Sequence, residues 1–217
     1  MIVSPFNNVL VKIDTKYIQD ITNVIRMANL NPNTQVNPAD YVSITGEVVS
    51  TPRAISKRYD YKGFSIKDIK VSDIAIFSYA VIFTFTETED GSATYRNMFR
   101  YKEREYWKVD IQNLYAVIRK GMIIMQNGYC MVQNIAPPSL IVMPNNAKKS
   151  ISTSTATLTN IGNNIEGGNK IEAVSGDIVH YNPQKLVQYS IKDKKFGILR
   201  QKDIFGIEIG RYNFLNN

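Results

Sequence analysis

Short apolar runs separated by polar, turn-forming clusters recur along the whole chain, a pattern of many strands and few helices. Asn8 to Ile13 reads as a strand rich in Val, Leu and Ile. The period then changes. Tyr17, Ile18, Ile21, Val24, Ile25 and Ala28 fall at helical spacing, Thr15 can cap the start, and Asn31-Pro32 stops the run. This predicts a helix over Tyr17 to Leu30. Val42 to Ser50 reads as a strand again, with Gly46 as a bulge. Ile55 to Lys67 is polar and is expected to be a loop. Ile74 to Phe85 is a long β-type run. Glu89-Asp90-Gly91-Ser92 is a hairpin turn, with Thr94 to Tyr101 as the returning strand. Glu105 to Val109 and Asp110 to Ile118 end this half.

The second half starts again at Met122. Met122 to Gln133 is a strand pair, or one long strand broken near Asn127-Gly128, and Pro137-Pro138 interrupts the pattern beyond it. Ile151 to Ile161 alternates as a strand does, and Asn163 to Asn169 is a turn cluster. Ile178 to Tyr181, Leu186 to Ile191, Phe196 to Arg200 and Ile204 to Ile209 complete a series of short strands. Strands of this length and spacing predict a barrel or sandwich.

Composition narrows the chemistry more than the fold. The 217 residues are 44% hydrophobic, enough for one large core or two small ones. No apolar run approaches the roughly 20 residues that span a bilayer. The start, MIVSPFNNVLVKID, lacks the basic-then-apolar order of a secretory signal. Cys130 is the single cysteine, which rules out an internal disulfide and fits a reducing compartment. With one His, His180, a structural zinc site within the chain is excluded. His180 lies in a strand-like run and reads as a strand residue, not a base. No phosphate-cradling glycine loop occurs, and nothing points to a catalytic pair. The chain is therefore expected to be no enzyme and to need no cofactor or metal.

The net charge of +7 suits polyanions or acidic protein surfaces, but the positive residues are not bunched, so a merely soluble surface is the favoured reading. The densest basic stretch, Arg96 to Lys108, interleaves Arg96, Arg100, Lys102, Arg104 and Lys108 with Tyr95, Phe99, Tyr101, Tyr106 and Trp107. Such a mixture can bind single-stranded nucleic acid. It equally describes an amphipathic strand pair with a polar face, and the strand pair is the favoured reading.

The two halves echo each other in order. Val9-Leu10-Val11-Lys12 corresponds to Cys130-Met131-Val132-Gln133, and Gly46-Glu47-Val48-Val49 to Ala156-Thr157-Leu158-Thr159. Val71 to Phe77 corresponds to Ser175 to Tyr181. Asn113-Leu114-Tyr115-Ala116-Val117 corresponds to Asp203-Ile204-Phe205-Gly206-Ile207. Four echoes in one order place a boundary near Arg119-Lys120-Gly121, giving domains 1–120 and 121–217. The short junction should hold them close together.

This series resembles the GroES-type co-chaperonins. Shared features are the opening strand like Asn8-Val9-Leu10-Val11-Lys12, the Gly46-Glu47-Val48 strand, a segment like Val174-Ser175-Gly176-Asp177-Ile178-Val179, and a closing strand like Asp203-Ile204-Phe205-Gly206-Ile207. The resemblance covers most of 122–209 and, more loosely, 3–118. It implies a mostly β chain of two tandem GroES-like β-barrels, with one helix inserted in the first. It also implies a mobile loop at Ser139 to Ser150, whose apolar Ile141-Val142-Met143, with Leu140 beside it, would insert into a chaperonin ring. An ordinary edge strand buried in an assembly is the alternative for this segment. Pro138-Ser139 stands where the family has Gly-Gly, which stiffens the loop. The first half departs further, with the helix at the loop position and an added hairpin near Phe83 to Phe99. Its stretches Ile69 to Phe77 and Asn97 to Arg119 resemble proteins of crAss-like tailed phages.

Two functions are implied by these resemblances. The first is a virion structural component, an auxiliary or decoration protein contacting a major capsid protein in many symmetric copies, assembled in the host cytoplasm. The alternative is a cytoplasmic co-chaperonin that caps a chaperonin ring. Leu140, Ile141, Val142 and Met143 are the expected partner-binding residues. No membrane partner is expected, and nucleic acid is a weaker third option.

Overall fold

The computed structural model describes residues 3–14, 44–87, 93–137, 139–142, 150–163, 172–191 and 194–209. The helix expected over Tyr17 to Leu30 and the turn at Glu89 to Ser92 lie outside them. Within them the chain is mostly β, with sixteen strands in two large sheets and one small one.

The first sheet uses β1 (Asn8–Lys12), β2 (Ile44–Ser50), β3 (Ile74–Phe77), β6 (Met98–Tyr101), β7 (Arg104–Asp110), β8 (Leu114–Arg119) and β9 (Met122–Met125), in the order β6-β7-β1-β2-β3-β8-β9. Between β3 and β6, β4 (Phe85–Glu87) and β5 (Ala93–Tyr95) pair as the expected extra hairpin. The second sheet uses β10 (Tyr129–Gln133), β12 (Ser150–Ile161), β13 (Ile178–Tyr181), β14 (Val187–Ile191), β15 (Lys194–Arg200) and β16 (Ile204–Glu208), in the order β14-β15-β10-β12-β13-β16. All of these pairs are antiparallel.

Apart from β9, which has no counterpart in the second, the two orders correspond strand for strand, and so do their irregularities. Leu10 faces Ser50 and Val11 faces Val48, leaving Val49 as the extra residue. Met131 faces Asn160 and Val132 faces Leu158, leaving Thr159. A second slip falls between Ile76 and Phe77 in one sheet and between His180 and Tyr181 in the other. The bulge thus sits at Val49, not at Gly46. Gly46 is closely packed instead: a Cβ there would lie 3.1 Å from the Lys12 carbonyl and 3.2 Å from Val11 Cβ, tighter than ordinary contact. Bulges mark positions where a strand must bend, so matched bulges mean matched curvature.

Each sheet buries its own core. Val9, Val48, Phe77, Trp107 and Leu114 belong to the first, and Val132, Leu158, Val179, Tyr181 and Leu199 to the second. A third cluster joins the two sheets.

Three local expectations are corrected. The run Ile74 to Phe85 is not one strand: β3 stops at Phe77, and a short helix α2 (Ala80–Phe83) follows α1 (Lys57–Tyr61) in chain order. Ser78 makes the break. Its amide donates to the Asn113 carbonyl (2.9 Å), its hydroxyl accepts from the Ala80 amide (3.3 Å), and its carbonyl accepts from the Val81 amide (3.1 Å). Such a serine offers the backbone a turn in place of a ladder. Val81 and Ile82 then bury against the first core from helical geometry. The polar stretch Ile55 to Lys67 is likewise not all loop, because it contains α1. The expected return strand Thr94 to Tyr101 is split at Arg96-Asn97, where the Asn97 amide group donates to the Val81 carbonyl (2.9 Å) and its carbonyl accepts from the Lys108 amide (2.8 Å).

The largest departure is β9. The sequence sets Met122 at the opening of the second half, yet β9 pairs with β8, Ala116 facing Met125 and Val117 facing Ile124, and closes the first sheet. Lys120 (φ 50°) and Gly121 (φ 81°) form the tight turn between them.

Candidate partner-binding segment and the joint between the sheets

The segment expected to bind a partner leaves the second sheet between β10 and β12. Its described part is β11 (Ser139–Val142), which pairs with the start of β12 and lies off the path of the sheet: Leu140 faces Ser152, Ile141 faces Ile151 and Val142 faces Ser150. Leu140, Ile141 and Val142 therefore share one strand, while Met143 lies outside the described residues. The base of this hairpin is tied down. The Ala136 amide donates to the Thr155 carbonyl (2.8 Å), and the Ser154 hydroxyl donates to the Ala136 carbonyl. Asn134 (φ 52°) turns the chain out of β10, and its side-chain amide reaches Thr157 Oγ1 at 3.4 Å. From Ser154 onward β12 also pairs with β13, so the hairpin is an arm extending from a strand held on both sides.

The basic stretch resolves as the amphipathic strand pair β6–β7. Trp107 is buried and meets Tyr95 edge-on with centroids 5.3 Å apart, and Phe99 stacks on Tyr106 at 5.8 Å. On the polar side Arg100 is paired with Glu105 (2.8 Å), and Lys102 lies 5.6 Å over its neighbour Tyr101.

Groups with reactive potential are occupied structurally. Cys130 is fully buried, its thiol donates to the Leu199 carbonyl (3.6 Å), and burial pushes it up to about 12. A thiol held neutral in this way is no nucleophile. His180 stands on β13, its Nε2 2.6 Å from Glu208 Oε1 on β16. Among the described residues no three His, Cys, Asp or Glu side chains are grouped to hold a metal ion.

The Gly176-Asp177 motif is also a structural device. Gly176 (φ 103°) donates its amide to the Leu158 carbonyl (2.8 Å), and an Asp177 carboxylate oxygen accepts from the Val174 amide (2.8 Å). The first half repeats the turn with Ser72 (φ 70°) and Asp73, which accepts from the Lys70 amide (2.7 Å). There a guanidinium is added: Arg119 Nε and Nη2 reach the two Asp73 oxygens at 2.8 and 2.7 Å. Burial tends to raise the Asp73 carboxyl, but hydrogen bonds from Arg119 and from the Lys70 amide outweigh it and hold the group below its ordinary value. The sequence marks Arg119 only as part of a junction. The structure makes it the clasp of the first half.

The joint itself has no residue-by-residue signal in the sequence. Ile76, Tyr115, Ala116 and Met125 of the first sheet pack on Tyr129, Met131, Tyr189, Phe196 and Ile198 of the second. Tyr115 meets Tyr129 edge-on at 4.9 Å, and the Tyr189 hydroxyl donates to the Ile44 carbonyl at 2.8 Å. Asn127 and Ser65 exchange two hydrogen bonds, the Ser65 amide to Asn127 Oδ1 (2.8 Å) and Asn127 Nδ2 to the Ser65 carbonyl (3.0 Å). Beside the joint, a cavity of about 290 Å³ is lined by Tyr115, Tyr129, Lys185, Arg200 and Lys202, with the Arg200 guanidinium 5.6 Å over the Tyr129 ring. Burial raises the Tyr115 and Tyr129 hydroxyls above their ordinary value, so both remain neutral hydrogen-bonding groups.

No curated protein matches this chain. Residues 123–208, which begin inside β9 and end with β16, match the family model of the Cpn10 chaperonin 10 Kd subunit, and this part of the chain carries a GroES-type fold.

Proposed function

We propose that the chain is a non-enzymatic assembly protein built of two GroES-type units, and that it acts as a co-chaperonin docking on a chaperonin ring through the Leu140–Met143 segment. The carrying observation is positional. In the half that matches the co-chaperonin family, the arm at β11 leaves the sheet between its first two central strands, where the resemblance puts the docking loop. A few apolar anchors on a projecting arm can supply most of a docking energy. The tandem reading is supported by the shared strand order, the paired bulges at Val49 and Thr159, and the repeated turns at Asp73 and Asp177. The chain should co-sediment with a chaperonin ring in a nucleotide-dependent way, and Ile141→Asp should abolish this. Retention of binding by Ile141→Asp would defeat the docking assignment.

A second reading, an auxiliary protein fixed to a phage capsid shell, is favoured by the additions to the first half. The β4–β5 hairpin and α2 lie between β3 and β6, whereas the second half connects β13 to β14 through a 3-10 turn, Pro183–Lys185. Mass spectrometry of purified particles decides it, since the chain must be present in a fixed copy number.

A further inference from the structure

We infer that the cavity beside the joint binds a small phosphate monoester, its phosphate held by Lys185, Arg200 and Lys202 and its apolar organic part lying against the joint. The three cations reach the cavity from three separate places. Lys185 ends the 3-10 turn Pro183–Lys185, Arg200 ends β15, and Lys202 stands in the 3-10 turn Gln201–Asp203 that follows. Among the described residues the ion pairs are those of Arg100, Arg119 and His180, and none involves these three. Cations gathered at one concave site raise the local potential and attract an anion. Asp203 is the carboxylate that lines the cavity with them, so three positive charges stand against one negative. A phosphate monoester carries about −1.5 to −2 near neutral pH and balances that excess, whereas a single carboxylate leaves part of it uncompensated.

The site is built before any ligand arrives. Buried Gln201 anchors the turn that carries Lys202. Its backbone amide donates to the Gly128 carbonyl (2.8 Å) and its side-chain amide to the Gly162 carbonyl (2.7 Å). Asn182 closes the turn that carries Lys185, its side-chain oxygen accepting from the Gln184 amide (3.0 Å). The Arg200 guanidinium lies over the Tyr129 ring, and that ring is fixed in turn, its hydroxyl donating to the Gln112 carbonyl (2.8 Å). A stacked guanidinium keeps N–H donors at its edge, in the fork geometry that fits phosphate. Because burial holds the Tyr115 and Tyr129 hydroxyls neutral, neither adds a negative charge that would oppose an anion.

The fold itself does not call for cations here. Tyr129 faces Arg200, and in the same register of the first sheet Asn8 faces Asp110. Each strand runs into a 3-10 turn, Ile111–Asn113 in one sheet and Gln201–Asp203 in the other, which sets Gln112 at the position of Lys202. The same backbone thus carries an acid and an amide in the first half and two cations in the second, where the joint adds an apolar wall. Val187, Ile198 and the two tyrosine rings form that wall. At about 290 Å³ the cavity exceeds what a phosphate group fills, and the space against the wall is left for the organic part. Apolar walls with a few convergent polar groups are the form of a small-molecule site. The inference is independent of both functions above.

The test uses the full chain. Titration calorimetry with phenyl phosphate should show saturable binding. Arg200→Gln should weaken it about tenfold or more, the loss expected of one hydrogen bond to a charged group. Lys185→Gln, at an exposed position, should weaken it by a lesser factor. Both variants should keep the circular dichroism spectrum of the unmodified chain. Inorganic phosphate and ribose 5-phosphate, which share the head group but not the apolar part, should bind less tightly. Lys102→Gln with Arg104→Gln, in the separate basic groove at the β6–β7 turn, should leave binding unchanged. Absence of saturable binding, full affinity in Arg200→Gln or in Lys185→Gln, or an equal loss from the Lys102 and Arg104 changes overturns the site. Equal affinity for inorganic phosphate or ribose 5-phosphate overturns the apolar ester as its ligand.

Discussion

The same position in the two sheets is filled by the largest side chain and by the smallest. Trp107 on β7 faces Val11, and Gly197 on β15 faces Val132, in corresponding registers. Trp107 is almost fully buried and is covered by Tyr95 from the added hairpin. At Gly197 the space belongs to Leu186, whose Cδ1 would lie 2.3 Å from an added Cβ, with Val132 Cγ2 at 2.9 Å. One backbone frame is thus packed in two ways, by a large residue from within the strand or by a neighbour folding over a glycine. A core constrains total volume more strictly than it constrains which residue provides it.

The largest effect that would sharpen this contrast is at Trp107. Trp107→Ala should cost the first half about 3–5 kcal/mol through lost burial and a residual cavity. Gly197→Ala should cost the second half about 1–3 kcal/mol, because Leu186 and Val132 must move aside. Urea unfolding followed by far-ultraviolet circular dichroism reads both changes, because the single tryptophan, Trp107, lies in the first half and is lost in the first variant. A neutral Gly197→Ala would mean that Leu186 does not occupy the space.

The turns before β3 and β13 offer a smaller contrast. Both are closed by an aspartate that accepts a backbone amide, but Asp73 also holds Arg119, and the position of Arg119 is Ile209 in the second half. Asp73→Asn should cost about 1.5–3 kcal/mol, the range for hydrogen bonds to a charged group. Asp177→Asn should cost less than Asp73→Asn, because Ile209 stands where Arg119 reinforces the first turn. The folded Asp73 carboxyl lies below its ordinary value of 3.8. Its contribution is therefore complete above that value and is lost as pH falls through the lower, folded one. The wild-type and Asp73→Asn unfolding midpoints, well separated at neutral pH, should converge below the ordinary value. Midpoints that stay equally separated in acid would show that the carboxylate charge is not what the clasp uses.

Legibility in the sequence depends on how locally each feature is encoded. The echoes Val9–Lys12 with Cys130–Gln133 and Val71–Phe77 with Ser175–Tyr181 match in register, because period-two alternation fixes which face each residue takes. Strands such as Ile178–Tyr181 are legible to the residue for the same reason. The break at Ser78 is not, since an apolar run suits either a strand or a buried helix and one hydroxyl decides between them. Nor is the role of β9. Met122 to Met125 carries the pattern of a strand but nothing that names its neighbour, and pairing with β8 depends on a tight turn at Lys120-Gly121 that alternation does not reveal. The joint at Tyr115 and Tyr189 escapes for a related reason. A tyrosine packed between two sheets and one on a sheet surface look alike until the second sheet is in place. Of the segment proposed to dock, the apolar content is readable in the sequence, and the pairing of β11 with β12 is not.

The smallest effect bears on the backbone itself. Ser72 and Gly176 stand at the same turn, both with positive φ, and each donates its amide to the strand beside it, to Val48 and Leu158 respectively, at 2.8 Å. At φ 70° Ser72 sits close to the left-handed region that a residue with a Cβ can enter at a cost. Gly176, at φ 103°, lies beyond it. Exchange should therefore be unequal. Ser72→Gly removes the Cβ strain but enlarges the unfolded ensemble, for a net gain of about 0.5 kcal/mol. Gly176→Ser forces a side chain into a conformation it resists, at about 1–2 kcal/mol, and draws the turn back toward φ 70°. Thermal midpoints of the two variants should move in opposite directions, Ser72→Gly upward by the lesser amount. Equal and opposite shifts would mean that the two turns are equivalent and that serine in the first half is an accident of sequence. Unequal shifts mean that the first turn has tightened to admit a side chain, with Arg119 holding Asp73 against the loosening that glycine permits in the second.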